Sequence, residues 1–318
     1  MEDKRDNFIE SQEIFDRLRK IILKLHSFDQ LLKKMIPWIS QENEILLQNV
    51  KTYREEILYG EKKAEDILID IICKDNICYL NNAKMEFIDR KSLWQMINEI
   101  LLNEDYYVEY DTDQPTIFDC GANIGLAVYY FKTLYPKAKI ICFEPWDKAY
   151  AILIKNIKDN GWTDVTVYPY ALSNINCHER LFIPEENSLG ASLTERCYEY
   201  VKDDSKIEKK IVEIRRLSEF IHESIDFLKL DIEGAEKKVL YEIESMLPKV
   251  RFIFCEYHYG NLVKDNSLAD IVSLLEKNNF IYEIGKSHTY QKRTKKRPML
   301  NVGKVASMVI WAQNSNYK

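Results

Sequence analysis

The stretch Thr116-Ile-Phe-Asp-Cys-Gly-Ala-Asn-Ile-Gly-Leu126 decides the fold. It begins as a short apolar strand that ends at Asp119, and the chain then turns at Gly121 and Gly125. Glycine lets the backbone pass close to a ligand because no Cβ stands in the way. Apolar residues then recur at helical spacing, namely Ile124, Val128, Phe131 and Leu134. The free N–H groups of such a helix point into the turn, and doubly wound α/β proteins form nucleotide-like sites in this way.

A second apolar strand, residues 140–143, runs into Glu144, which stands 25 residues after Asp119. An acid at this place accepts hydrogen bonds from ribose hydroxyls. The dinucleotide fingerprint G-x-G-x-x-G does not fit, because Asn123 and Leu126 occupy two of its glycine positions. The pattern is instead D-x-G-A-N-x-G followed by F-E-P, and it disfavours an NAD-type dinucleotide.

The bulk composition is that of an ordinary globular protein. The chain has 318 residues, 46% of them hydrophobic and 30% charged, which predicts one large domain or one domain with an appendage. The net charge of −6 argues against a general nucleic-acid binder. Seven scattered cysteines favour reduced core residues over a disulfide framework, and Cys73 and Cys78 lack a partner pair for zinc. No signal peptide or membrane span is visible, so a cytoplasmic location is expected.

An amphipathic helical pattern precedes this region. Apolar residues follow a heptad spacing from Ile14 to Met35, Pro37 ends that helix, and a second helical pattern runs from Ile45 toward Ile57. We therefore expect residues 1–75 to form an N-terminal helical arm. The arm either packs on the following domain as a lid or brace, or pairs with a second copy of the chain to make a homodimer.

From Thr116 onward, strands alternate with helices, which predicts parallel βαβ units. Further strands are expected at residues 165–170, 225–230, 250–255, 280–284 and 305–312. Residues 173–212 show little periodicity and read as a long irregular insert that forms part of the substrate wall. The last two strands flank a loop, residues 285–304, with seven Lys or Arg and no acid. It is either a solvated hairpin tip or a cationic flap over an anionic substrate.

A resemblance to a known family rests partly on two later stretches, Asp226-Phe-Leu-Lys-Leu-Asp-Ile-Glu-Gly-Ala-Glu236 and Phe254-Cys-Glu-Tyr-His258. Together with the glycine turn and the F-E-P strand end, they resemble the FkbM-type S-adenosylmethionine-dependent methyltransferases. The resemblance covers roughly residues 76–312. It implies a Rossmann-like class I methyltransferase fold over residues 76–318, with a mostly parallel seven-stranded sheet and helices on both faces. It also implies S-adenosylmethionine as cofactor and S-adenosylhomocysteine as product.

The resemblance places the cofactor at the glycine turn. Asp119 and the backbone from Gly121 to Gly125 are expected to hold the amino-acid end, and Glu144 the ribose. Asn123 either caps the turn or contacts the cofactor. Tyr106 or Tyr107 either covers the methionine end or packs at the domain edge. The expected cofactor-binding residues are Asp119, Gly121, Ala122, Asn123, Gly125, Glu144, Pro145, Trp146, Tyr170 and Ala171.

A polar cluster at the ends of two neighbouring strands is the expected catalytic centre. A neutral alcohol is a weak nucleophile, so a base must take its proton as it attacks. His258 and Asp231 are the two candidates for that base, while Lys229 either assists or neutralises a buried acid. Glu236 is expected to be an exposed acid in the first helical turn. A divalent metal is an alternative that the resemblance does not require, so none is predicted. The expected catalytic residues are Asp231, His258, Lys229, Glu233 and Glu256.

The expected function is O-methylation of a hydroxyl on a small molecule. The resemblance implies sugars of surface polysaccharides, lipooligosaccharides or glycolipids as acceptors, and the basic loop suggests that the acceptor is anionic. Nucleic acid is disfavoured, because Leu230-Asp-Ile-Glu233 stands where nucleic-acid amine methylases carry Asn-Pro-Pro-aromatic. Two alternatives belong to other classes: an NAD-linked sugar oxidoreductase or epimerase, and a non-catalytic module of a polysaccharide-synthesis complex.

Overall fold

The structure is a computed structural model. It describes residues 64–285 apart from positions 82, 186, 200, 261 and 264, together with residues 306–317 and, near the N-terminus, residues 30, 31, 33–35 and 38. The predicted helices over 14–57 lie almost entirely outside the described residues, as does the basic loop from 286 onward. The chain forms two compact units, Met1–Asp105 and Tyr106–Lys318.

The first unit contains more than a helical arm. Helix α1 (Ala64–Ile72) leads into strand β1 (Cys73–Lys74) and a hairpin of β2 (Ile77–Leu80) and β3 (Ala83–Glu86). Helix α2 (Arg90–Met96) follows and continues as a π-helical turn (Ile97–Leu102). Asp89 caps α2, because its side chain accepts a hydrogen bond from Ser92 N at 2.8 Å. The hairpin and α2 pack on α1, so the units divide after Asp105, whereas the sequence suggested a boundary after residue 75.

The second unit contains a seven-stranded sheet. Its strands are β4 (Thr116–Cys120), β5 (Lys139–Phe143), β6 (Val165–Tyr168), β10 (Ile225–Leu230), β11 (Val250–Tyr259), β12 (Phe280–Gly285) and β13 (Ala306–Asn314). Their order is β12-β13-β11-β10-β4-β5-β6, and only β13 runs antiparallel to its neighbours. The flanking helices are α3 (Leu126–Leu134), α4 (Asp147–Asp159), α5 (Glu236–Glu242) and α6 (Leu268–Lys277). The predicted class I methyltransferase fold is confirmed.

The predicted irregular insert is wrong at both of its ends, which are strands, whereas the described residues of 185–206 between them form only short 3₁₀ turns and one isolated bridge. Residues 171–216 form a second sheet from β7 (Ala171–Ser173), β8 (Cys177–Pro184) and β9 (Ile207–Arg216), in the order β7-β9-β8. All of β8 pairs antiparallel with β9, from Cys177↔Ile214 to Pro184↔Ile207. The first half of β8 is largely exposed and its second half is buried, so the alternation that signals a strand is absent from its sequence.

The predicted site residues lie at the edge of the main sheet where the carboxyl ends of β4 and β10 meet. β10 coincides with its prediction, whereas β11 continues past Cys255 to Tyr259, so Glu256 and His258 lie within a strand. Antiparallel pairing with β13, including His258↔Ser307, holds this extension in place. Among the residues that the structure describes, no helix is long and apolar enough to cross a bilayer.

Candidate active site

The glycine turn after β4 has the backbone shape that its sequence predicts. Gly121 and Gly125 both have left-handed backbone, with φ of 86° and 87°. The N–H groups of Gly121 and Ala122 both donate to the carbonyl of Phe143 at 3.0 Å, which fastens the turn to β5. Asn123 also has a positive φ, of 46°, and its Oδ1 accepts from Ile124 N at 2.9 Å. Asn123 therefore stabilises the turn itself.

The segment that connects β8 to β9 reaches the glycine turn and the polar cluster. Asn123 Nδ2 donates to the carbonyl of Ser188 at 3.2 Å. Ser192 Oγ donates to the carbonyl of Glu233 at 2.7 Å, where Glu233 has an unusual φ of 57°. The sequence indicated only a flexible turn from Ser188 to Ser192 within the insert, because the role of each serine depends on contacts more than 40 residues away along the chain.

Gly121 provides a test of this turn. A Cβ at Gly121 would lie 2.0 Å from the carbonyl oxygen of Asp231, whereas a Cβ at Gly161, with φ of 65°, would meet nothing within 4 Å. Both alanine variants carry left-handed strain, which costs about 1–2 kcal/mol, but only Gly121→Ala also displaces backbone. We expect Gly121→Ala to lower the unfolding free energy by about 3 kcal/mol or more and Gly161→Ala by about 1–2 kcal/mol. Equal losses in urea unfolding would contradict the close approach.

Glu144 is a buried carboxylate held by the turn. Its Oε2 accepts from Asn123 N and its Oε1 from Trp146 N, both at 2.8 Å. Burial raises the pKa of Glu144 to about 7, and the two backbone hydrogen bonds counteract only part of that rise. Trp146 is itself buried, and Lys148 Nζ lies 5.8 Å from its ring centre. Pro145, between them, is half-buried.

Asp119 and Lys229 connect the turn to the neighbouring strand. Asp119 is fully buried, and Lys229 Nζ lies 3.1 Å from its Oδ1. Lys229 also donates to the carbonyl of Gly121 at 2.8 Å and lies 3.6 Å from Asp231 Oδ2. Burial lowers the pKa of Lys229, but Asp119 and Asp231 outweigh it and raise the pKa above its ordinary value. Lys229 therefore stays charged and bridges the turn to the polar cluster.

The aromatic residues near the turn divide into buried and exposed groups. Tyr106 is buried, packs edge-on against Phe254 at 4.6 Å between ring centres, and lies 5.8 Å from Lys229 Nζ. Tyr107 is 50% exposed and its hydroxyl donates to Glu109 at 3.1 Å, so it points away from this core. Of the two, Tyr106 is the residue placed beside the site.

Tyr170 and Ala171 lie where the second sheet begins. Tyr170 stacks on Tyr168 at 5.9 Å, and the Arg215 guanidinium lies 5.3 Å above its ring. Ala171 is buried in β7, where it pairs with Ile214. The described ring contacts of Tyr170 thus belong to the core between the sheets, and an adenine contact for this pair stays a prediction.

Glu236 contradicts its prediction, because it is completely buried. Its Oε1 accepts from Gly234 N at 2.9 Å and lies 2.9 Å from His258 Nδ1, and its Oε2 accepts from Asn266 Nδ2 at 2.5 Å. A first-turn helix acid is normally exposed, but here β11 and the segment before α6 cover it. Asn266, which the sequence did not single out, also donates to the carbonyl of His258 at 2.8 Å.

The remaining predicted catalytic residues face one another. His258 Nε2 lies 3.5 Å from an oxygen of Glu233 and 3.5 Å from an oxygen of Glu256. One oxygen of Asp231, one of Glu256 and one ring nitrogen of His258 all lie within 4.8 Å of each other. His258 is 2% exposed, whereas the Asp231 side chain is 25% exposed. Burial and the Glu256 charge raise the pKa of Asp231 to about 6.

A family model described as "Methyltransferase FkbM domain" matches residues 119–282, more than half of the chain. The chain belongs to the FkbM methyltransferase family. It is therefore an S-adenosylmethionine-dependent methyltransferase, as predicted, rather than the NAD-linked enzyme or the non-catalytic module.

Several known proteins are similar to this family member. It is 30% identical over 209 residues to methyltransferase sdnD of Sordaria araneosa, a match that covers 55% of this chain and 76% of sdnD. It is 32% identical over 163 residues to the 2-O-methyltransferase NoeI of Sinorhizobium fredii, covering 45% of this chain and 63% of NoeI. A solved FkbM methyltransferase from Methylobacillus flagellatus KT is 15% identical, with a TM-score of 0.41, over 70% of this chain and 54% of its own.

The residues around the turn fit S-adenosylmethionine. No described hydrogen-bond donor reaches Asp119 Oδ2, although Asp119 is fully buried. An orphaned buried carboxylate oxygen requires a partner, and the ammonium group of the methionine end would supply one. Glu144 retains a lone pair on each oxygen beyond its two backbone bonds, which suits the two ribose hydroxyls. Asp119, the Gly121–Gly125 backbone and Glu144 would therefore hold the cofactor.

Proposed function

We propose that this enzyme methylates a hydroxyl group of a small molecule, and that the acceptor is a sugar of a surface polysaccharide, lipooligosaccharide or glycolipid. S-adenosylmethionine supplies the methyl group as a sulfonium and departs as S-adenosylhomocysteine. The observation that carries the proposal is the position of Asp231. It is the most exposed acid of the cluster, and Lys229 links it to Asp119 at the cofactor turn.

Asp231 is suited to receive the acceptor's proton. With a pKa raised to about 6, its carboxylate is ionised at neutral pH yet more basic than an ordinary aspartate. As the hydroxyl oxygen forms its new bond to carbon, the hydroxyl proton moves to a side-chain oxygen of Asp231. Lys229 cannot take that proton, because its neighbours keep it charged. Its charge instead keeps Asp119 and Asp231 in fixed positions.

His258 lies between the buried Glu236 and the polar cluster, and its two ring nitrogens contact both. Its Nδ1 faces Glu236, and its Nε2 faces the cluster, so the ring orientation is fixed. The names of two relatives also support hydroxyl chemistry. NoeI is a 2-O-methyltransferase, and a Streptomyces tacrolimicus relative, 28% identical over 193 residues, is the 31-O-demethyl-FK506 methyltransferase FkbM. A cytoplasmic location and a role in polysaccharide biosynthesis are parts of this proposal.

An acceptor panel tests the proposal. The full chain is incubated with methyl-labelled S-adenosylmethionine and, separately, with nucleotide-linked sugars, lipid-linked glycans, total RNA and small amines. We expect label on a sugar hydroxyl, located by mass spectrometry, and glycans from a deletion strain should lack one methyl group. Label on RNA or amines with no labelled sugar would overturn it.

A further inference from the structure

Three side chains with the chemistry of metal ligands meet beside the proposed acceptor position. They are Asp231, after β10, and Glu256 and His258, within β11. Their oxygen and nitrogen atoms lie within 4.8 Å of one another. Ligand atoms roughly 2.0–2.4 Å from one ion are separated by about 3–4.8 Å. We propose that Asp231, Glu256 and His258 bind one divalent metal ion, although the sequence predicted none.

The spacing between His258 and Glu256 suits two ligands of one ion. Nε2 of His258 lies 3.5 Å from Glu256 Oε1. Two atoms about 2.1 Å from one ion, at the tetrahedral angle, are about 3.4 Å apart. The gap between this nitrogen and the Glu256 carboxylate is therefore the gap that a coordinated ion leaves.

The residues behind His258 prepare it as a ligand. The fully buried carboxylate of Glu236 lies 2.9 Å from Nδ1 and is itself held by Asn266 Nδ2. Nδ1–H therefore donates to Glu236, which leaves Nε2 as the nitrogen that faces Glu256 and Asp231. A carboxylate behind the imidazole is the usual support of a metal-bound histidine, where it fixes the ring orientation and strengthens the nitrogen as a donor.

The donor set indicates the class of ion. Two carboxylates and one imidazole suit Mn²⁺ or Zn²⁺, since imidazole favours transition metals and carboxylates favour harder ions. Three protein ligands leave open positions, and the partly exposed Asp231 gives access to them. This role rests on the proposed function: an ion here would polarise the acceptor hydroxyl.

The test is metal binding by the full chain, freed of metal with a chelator and then dialysed. Mn²⁺ is titrated by calorimetry and by electron paramagnetic resonance, and Zn²⁺ by calorimetry. We expect one site per chain, and dissociation constants about tenfold or more higher for Glu256→Gln and His258→Gln. Glu223→Gln is the matched control, because Glu223 is exposed and pairs with Lys139 on the surface; its dissociation constant should equal that of the wild type.

S-adenosylmethionine affinity, measured in parallel, shows that each variant is folded. Absence of a stoichiometric site for both ions, or equal affinity in the wild type and both cluster variants, would overturn the proposal. Because no acceptor is needed, the outcome is independent of the proposed reaction. Bound metal without hydroxyl methylation would refute only the proposed function, whereas hydroxyl methylation by a chain that binds neither ion would refute only the metal site.

Discussion

Asp231→Asn is expected to lower kcat by about 100- to 10,000-fold, the usual contribution of a general base. Asparagine keeps the shape of aspartate but cannot accept the hydroxyl proton. Affinity for S-adenosylmethionine should change little, because Asp119 and Glu144 are untouched and Lys229 keeps its contacts with Asp119 and the Gly121 carbonyl. The expected signature is a large loss of turnover with a nearly constant cofactor dissociation constant.

Steady-state kinetics on the acceptor found in the panel, together with calorimetry of the cofactor, measure the two quantities separately. Asp159→Asn is the matched control, because Asp159 forms an exposed ion pair with Lys155 on α4; it should behave as the wild type. His258→Gln tests the other candidate base in the same assay. If both Asp231→Asn and His258→Gln retained near-wild-type turnover, the polar cluster would not be the catalytic centre.

Glu144→Ala is expected to weaken S-adenosylmethionine binding by about 100-fold or more. Hydrogen bonds to a charged group contribute about 1.5–3 kcal/mol each, and the variant loses both ribose contacts. It also leaves the N–H groups of Asn123 and Trp146 without their acceptor. Glu144→Gln retains the size of the side chain but only one acceptor oxygen, so it should fall between the wild type and the alanine variant. Calorimetry that found unchanged affinity for Glu144→Ala would refute its role at the ribose.

The pKa of Glu144 adds a pH dependence to this prediction. Only the ionised carboxylate accepts from both hydroxyls, so the cofactor dissociation constant should rise as pH falls below about 7, by up to about tenfold per pH unit. In the protein without cofactor, the unfolding free energy depends on pH in the opposite direction. Because the folded pKa is raised, folding favours the neutral acid, and this contribution is lost as pH rises from about 4.3 toward 7. Glu144→Gln should abolish the dependence on pH at this position.

Local sequence patterns were sufficient for the cofactor half of the site. Gly121 and Gly125 mark left-handed backbone, and the strand before Glu144 is a continuous apolar run. Both are short-range features, since left-handed φ values favour glycine and a buried parallel strand needs apolar residues on both faces. The alternation of strands and helices in the main sheet followed from the same patterns, and the resemblance to a known family supplied the class of fold.

The features that the sequence patterns did not predict depend on contacts between residues far apart in the chain. The first half of β8 carries exposed polar residues, so its pairing with β9 left no alternation to detect. Glu236 has the local setting of an exposed helix acid, and only its contacts with His258 and Asn266, 22 and 30 residues away, account for its burial. Burial of this kind depends on what packs above a residue, which its neighbours in sequence do not specify.

The sequence by itself determined the glycine turn and the acid that follows the next strand, because these depend on backbone sterics and apolar patterns within a few residues. The type of chemistry came from the family that these motifs together resemble. Only the tertiary structure decided that Lys229 joins Asp119 to Asp231, and that Glu256 and His258 meet Asp231 within 4.8 Å. Those distances follow from placing β10 between β4 and β11 in a fixed register. Register is set by the packing of the whole sheet, and no single stretch of the chain contains it.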